Sequence, residues 1–157
     1  MTRKIMVLSD SLYMRSEAIR YAIELAKRLD AALVLLLLLP FELTEKSMGS
    51  IDAVLNLQAK AKDAIKQPIV DIEKAGIYFE TVVRTGNPRS ELLKFLAEWG
   101  RFHSIVWGGE PDTVNKTAHW ISHLEADVKC AVLVPFIKNQ NGSRSSGSAA
   151  YFNKGGY

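Results

Sequence analysis

"LSDSLYMRSEAIRYAIELAKRLDAALVLLLLLP", residues 8–40, changes its hydrophobic period twice, and those changes decide the fold class. It begins at the end of "KIMVLS", Lys4–Ser9, a short apolar run of strand length. From Met14 to Leu29 the spacing becomes helical, with Ile19, Ala22, Ile23, Ala26 and Leu29 on one face. Ala31–Phe41 is then apolar with no alternation. Eleven residues fall well short of the roughly twenty that cross a bilayer, so the run reads as a strand buried on both faces.

The alternation continues downstream. A helical pattern from about Ser47 to Ala75 carries Leu57, Ala61, Ile65, Ile69 and Ile72 in phase. Pro68 predicts a break in it, and Gly76 a left-handed stop. "IYFETVVR" reads as the third strand, "TGNP" as a turn, and Glu91–Trp99 as a helix with Leu92, Leu93, Leu96 and Ala97 inward. "FHSIVWG" is the fourth strand. Val114, Ala118, Ile121, Leu124 and Val128 mark a fourth helix, and "CAVLVPF" is the fifth strand. Strands alternating with helices predict a parallel sheet with right-handed crossovers. Residues 1–137 form one α/β domain on this reading, and 138–157, rich in Gly, Ser and Asn, a disordered tail.

Bulk composition excludes several function classes. The chain has 157 residues, a size for one core, and its 48% hydrophobic and 24% charged residues are ordinary for a globular protein. Three of its twenty basic residues lie beyond Ile137, while all seventeen acidic ones lie before it. The body is therefore neutral despite the net charge of +3, and offers no nucleic-acid field. No membrane partner is expected, and the apolar run in "MTRKIMVLSD" is too short for a secretory leader. A single cysteine, Cys130, precludes an internal disulfide and fits a cytoplasmic location.

The helix in residues 8–40 reads A-x-x-Y-A-x-x-L-A at Ala18, Tyr21, Ala22, Leu25 and Ala26, between a strand ending in Asp10 and a buried strand. With "AGIYFETVVRTGNPRSELLKFL", "HSIVWG" and "CAVLVP" following in order, residues 3–137 resemble the universal stress protein family. The resemblance implies a five-stranded parallel sheet in the order 3-2-1-4-5, of the adenine nucleotide alpha hydrolase-like type, usually paired as dimers. In that order the chain reverses between strands one and four, leaving a crevice at their C-terminal ends. Ser9, Asp10, Gly108 and Gly109 would line it. In nucleotide-binding members the Asp meets the nucleoside, and a main-chain group at the end of strand two, here Leu38, meets adenine.

The phosphate loop departs from the pattern of those members, a Gly-x-x-Gly, nine residues, then Gly-Ser/Thr. Gly108 keeps the first glycine, but the second position is Pro111, which has no amide proton to donate. Glu110, beside it, repels polyphosphate, and neither register restores a glycine near Ala118–Ser122. The expectation is a stress or regulatory protein that binds partners and lacks both ATP and turnover chemistry. The alternatives are an AMP or ATP sensor using Asp10, Leu38 and Gly108, and a small nucleotide hydrolase.

Other constellations are weak. Asp10 also suits a turn or helix cap, and Gly109 suits simple turn geometry. His119 and His123, at i and i+4, share a helix face in a spacing that metals use, but two exposed histidines are the plainer reading. Cys130 is expected as a small core residue. No serine elbow, Walker lysine or carboxylate pair is present, and Arg84-Thr85-Gly86 stands where a phosphoacceptor receiver needs an acid. At the sheet edge, Ala131, Val132, Leu133 and Val134 form an apolar strand with no charge, which predicts pairing with a second copy.

Overall fold

The computed structural model describes residues 2–40, 51–111, 119–137 and 149–153. Their elements run β1 (Arg3–Ser9), α1 (Ser16–Leu29), β2 (Ala31–Leu39), α2 (Ile51–Ala64), α3 (Lys66–Lys74), β3 (Phe79–Thr85), α4 (Pro88–Trp99) and β4 (Ser104–Trp107). A 3₁₀ turn (Trp120–His123) and a single helical turn, α5 (Leu124–Asp127), precede β5 (Ala131–Ile137) and β6 (Ala149–Asn153). The sheet order is β3-β2-β1-β4-β5-β6. The first five are parallel in the expected 3-2-1-4-5 order. β6 is antiparallel to β5, which corrects the expectation of a tail without structure; its remaining residues lie outside those described.

Alternation along the strands sorts the core into two layers. Ile5, Val7, Leu33, Leu35 and Leu37 pack with α1, α2 and α3 on one face. Met6, Leu8, Val34, Leu36 and Leu38 pack on the other with Phe95 of α4 and with Ile121 and Leu124. All nine residues of β2 are buried, as its unbroken apolar run requires. Each fully buried leucine there contributes about 2 kcal/mol.

Local chemistry sets the boundaries. Pro68 does not interrupt its helix where it stands; the break falls at Ile65, and Pro68 is the third residue of α3. A proline ring obstructs the carbonyl four residues back, so the chain breaks a turn upstream and proline sits in the first turn it tolerates. Gly76 ends α3 at φ 73°, as expected. α4 starts earlier than Glu91, because Asn87 Oδ1 accepts from Ser90 N at 3.0 Å and Pro88 takes the first helical position. The proposed start of the second helix at Ser47, and Val114 and Ala118 of the fourth, lie outside the described residues.

The fourth helix is mostly absent over 119–128. His119 is extended, at φ −86° and ψ 138°, and its Nδ1 accepts from Ile121 N at 3.0 Å, which caps the 3₁₀ turn. Arg89 of α4 reaches across to Asp127 with two bonds of 2.8 Å, holding this segment over the sheet. Hydrogen bonding from Arg89 keeps the Asp127 carboxyl below its ordinary range. A depressed carboxylate contributes above its unfolded range and loses that contribution as pH falls through its folded one. Thermal melts of Asp127→Asn should therefore match wild type at strongly acid pH and fall below it towards neutrality. A constant difference at every pH would contradict this.

Candidate functional site

Where parallel strands end, their last carbonyls have no ladder partner and must find donors. β4 ends beside β1, at the point where the sheet order reverses, and β5 ends beside β4. The donor there is Arg15. Its Nε donates to Gly109 O at 2.6 Å, Nη2 to Trp107 O at 2.9 Å and Nη1 to Pro135 O at 2.5 Å. Its backbone N–H donates to Gly108 O at 2.9 Å. The side chain is only 5% exposed. Burial lowers the guanidinium from its ordinary value, and the charges of Glu17, Tyr13 and Glu110 oppose that shift.

Asp10 closes the other side. Its Oδ2 accepts from His119 Nε2 at 2.9 Å and from Trp120 Nε1 at 3.0 Å. Because His119 Nδ1 accepts from Ile121 N, the ring proton lies on Nε2 and is given to Asp10. His119 stacks on Trp120 at 5.9 Å, and both meet Trp107 edgewise at 6.0 Å. This corrects the reading of His119 and His123 as two exposed histidines on one helix face. His119 is partly buried against Asp10, while His123 is exposed, and the extended backbone at His119 breaks the shared face. Among the described residues no group of three or more His, Cys, Asp or Glu could hold a metal.

The glycines are committed as well. Gly108 N donates to Leu8 O at 2.7 Å, extending the β1–β4 ladder, so that amide is unavailable to a phosphate. Gly109 is more than turn geometry. A Cβ there would stand 2.6 Å from Cζ2 of Trp107, whose indole folds beneath it and donates from Nε1 to Glu110 O at 2.8 Å. Ser9, fully buried, donates from Oγ to Tyr13 O at 2.7 Å and closes the turn into α1.

Ser9 and Asp10 at the end of β1 thus lie beside Gly108 and Gly109, which follow β4. Leu38 lies on β2, across β1 from Gly108, with its side chain in the core layer that also holds Trp107 and Ile121. Arg15, Trp107, His119 and Trp120 complete the site without having been singled out for it in the sequence. One signal was available for Arg15. Arginine is a poor residue just before a helix, having no oxygen to cap with and the wrong charge for the positive end of the dipole. Cys130 precedes β5 and is only partly buried, so it is not a strand core residue. Burial still pushes its thiol up to about 11.

The profile of the universal stress protein family matches residues 1–113. A search of curated protein sequences finds no match to the chain. Solved structures give the fold. A protein of the universal stress protein family from Burkholderia pseudomallei superposes with TM-score 0.57 at 20% identity, over 83% of this chain and 93% of that one. A universal stress protein family protein from Arabidopsis thaliana with AMP bound gives 0.54 at 16%, over 92% and 97%. The universal stress protein from Archaeoglobus fulgidus gives 0.50 at 17%, over 68% and 75%.

Proposed function

Because this chain belongs to the universal stress protein family, we propose that it is a non-nucleotide-binding member that works in a stress or regulatory response through a protein partner, without turnover chemistry. One observation supports the reading: the polar groups at the ends of β1, β4 and β5 are bonded within the chain. The Asp10 carboxylate accepts from His119 and Trp120, the Gly108 amide is bonded to Leu8, and Arg15 occupies the strand ends. A nucleotide entering there would have to break bonds among partly or fully buried groups before making any of its own, and each orphaned group costs about 1–3 kcal/mol. Glu110 and Pro111 supply no compensation. The described residues contain no helix long and apolar enough to cross a membrane.

Calorimetry with MgATP at millimolar concentration should register no binding heat. Micromolar affinity would overturn the proposal. A second reading, an AMP sensor, is favoured by the AMP-bound Arabidopsis thaliana neighbour and by Asp10 standing beside the crevice. Native mass spectrometry of the purified protein separates the two. The bare chain mass supports the first reading, and a retained AMP supports the sensor.

A further inference from the structure

β6 covers β5 from Leu133 to Ile137, the edge at which the sequence predicts a second copy. An open hollow lies elsewhere, at the N-terminal ends of β1 and β4, the length of β1 or roughly 20 Å from the crevice. It encloses about 620 Å³ between Arg3 and Lys4, at the start of β1, and Trp99, Arg101, Phe102 and His103, on the path from α4 into β4. His103 N donates to Lys4 O at 2.7 Å, which fixes the two segments side by side. Three permanent cations and a histidine line this hollow, and among the described residues no carboxylate does.

Two of the cations also serve the fold. Lys4 Nζ donates to Trp99 O at 2.7 Å, at the end of α4, and Arg3 Nη1 to Leu29 O at 3.0 Å, at the end of α1. A helix C-terminus carries about half a negative charge, so the two ends offset about one of the three cations. The acids next to these helix ends in sequence are engaged elsewhere: Glu98 pairs with Arg84, and Asp30 lines a separate hollow with Lys27. An excess of about two positive charges remains. Donors remain as well. Arg3 commits one of its N–H groups to Leu29, and Arg101 makes no hydrogen bond or ion pair to another described residue. The rings are already engaged, because Lys4 Nζ stands 5.6 Å from the centroid of Trp99 and 5.0 Å from that of Phe102, and Phe95 stacks on both. Recognition in the hollow therefore falls to charge. We propose that it binds a small molecule carrying a phosphate group, gathered by the guanidinium groups of Arg3 and Arg101 with His103 beside them. A guanidinium makes paired bonds to phosphate oxygens. A phosphate monoester carries about two negative charges near neutral pH, which matches the excess, whereas a single carboxylate leaves half of it unbalanced. The volume is that of a small-molecule site and leaves room for an organic group beside the phosphate.

Inorganic pyrophosphate is the probe, titrated into the full chain at low ionic strength. Calorimetry should show saturable binding in the submillimolar range, weakening as salt is added. Arg101→Gln should bind about tenfold more weakly with an unchanged melting temperature, since Arg101 is exposed and holds nothing in the fold. Amide spectra of the wild-type chain supply a second readout that needs no variant. On adding pyrophosphate, the signals of Arg3, Lys4 and residues 101–104 should shift, and those of Asp10, Gly108 and Gly109 should stay in place. Absence of saturable binding overturns the proposal. So does an Arg101→Gln variant that binds as tightly as wild type, or a set of shifts centred on Gly108.

Discussion

Arg15→Ala should lower stability by about 3–4 kcal/mol, one of the largest losses available to a single substitution in this chain. The change removes three charge-assisted bonds and leaves the carbonyls of Trp107, Gly109 and Pro135 in a buried space. In a domain of this size that is roughly 10 °C in melting temperature. Arg15→Lys separates charge from geometry. An ammonium is a point donor and cannot reach three acceptors spread across two strand ends, whereas the planar guanidinium meets all of them. The lysine variant should therefore lose about 2 kcal/mol by denaturant unfolding, not a few tenths. If lysine restored wild-type stability, charge alone would be the requirement, and the fork geometry would carry no weight.

The second large effect is Gly109→Ala, expected to cost about 2 kcal/mol by overpacking. The backbone at Gly109 is not in the left-handed region, so glycine is not needed there for its conformation. The added methyl would meet the six-membered ring of Trp107, which is fully buried and cannot swing away. Trp107→Phe withdraws that ring, so the cost of Gly109→Ala should fall markedly in the Trp107→Phe background. A double-mutant cycle by urea unfolding measures this coupling. Additive costs would mean that the penalty arises elsewhere in the loop.

What could be read from the residues follows from the range of the forces involved. Periodicity reports on faces, and it gave β1, α1 and β2 because each of these elements buries one side or both, whereas the strand order came from the family resemblance. With the order that the resemblance implies, Asp10 and Gly108 follow the ends of neighbouring strands, β1 and β4. The groups that bond to them were not legible. His119 looked helical from the spacing of Ile121, Leu124 and Val128, but its own ring caps the turn that begins at Trp120. Arg15 gave only the negative signal of a poor cap, and its acceptors lie far along the chain. β6 was missed because five residues in a Gly- and Ser-rich tail carry no periodicity, and their strand exists only by pairing with β5.

The reach of Arg15 bears on how the protein is made. Its nearest side-chain acceptor is 92 residues away and its farthest 120, so a growing chain emerges from the ribosome with this cation long before its carbonyls exist. The first strand, helix and second strand are contiguous in sequence and are free to associate early. Their joining end stays wet, because a guanidinium without acceptors is costly to bury. Only when Trp107 and then Pro135 have been synthesised does desolvation there become favourable. Full pairing of the buried arginine therefore needs residues drawn from nearly the whole sheet.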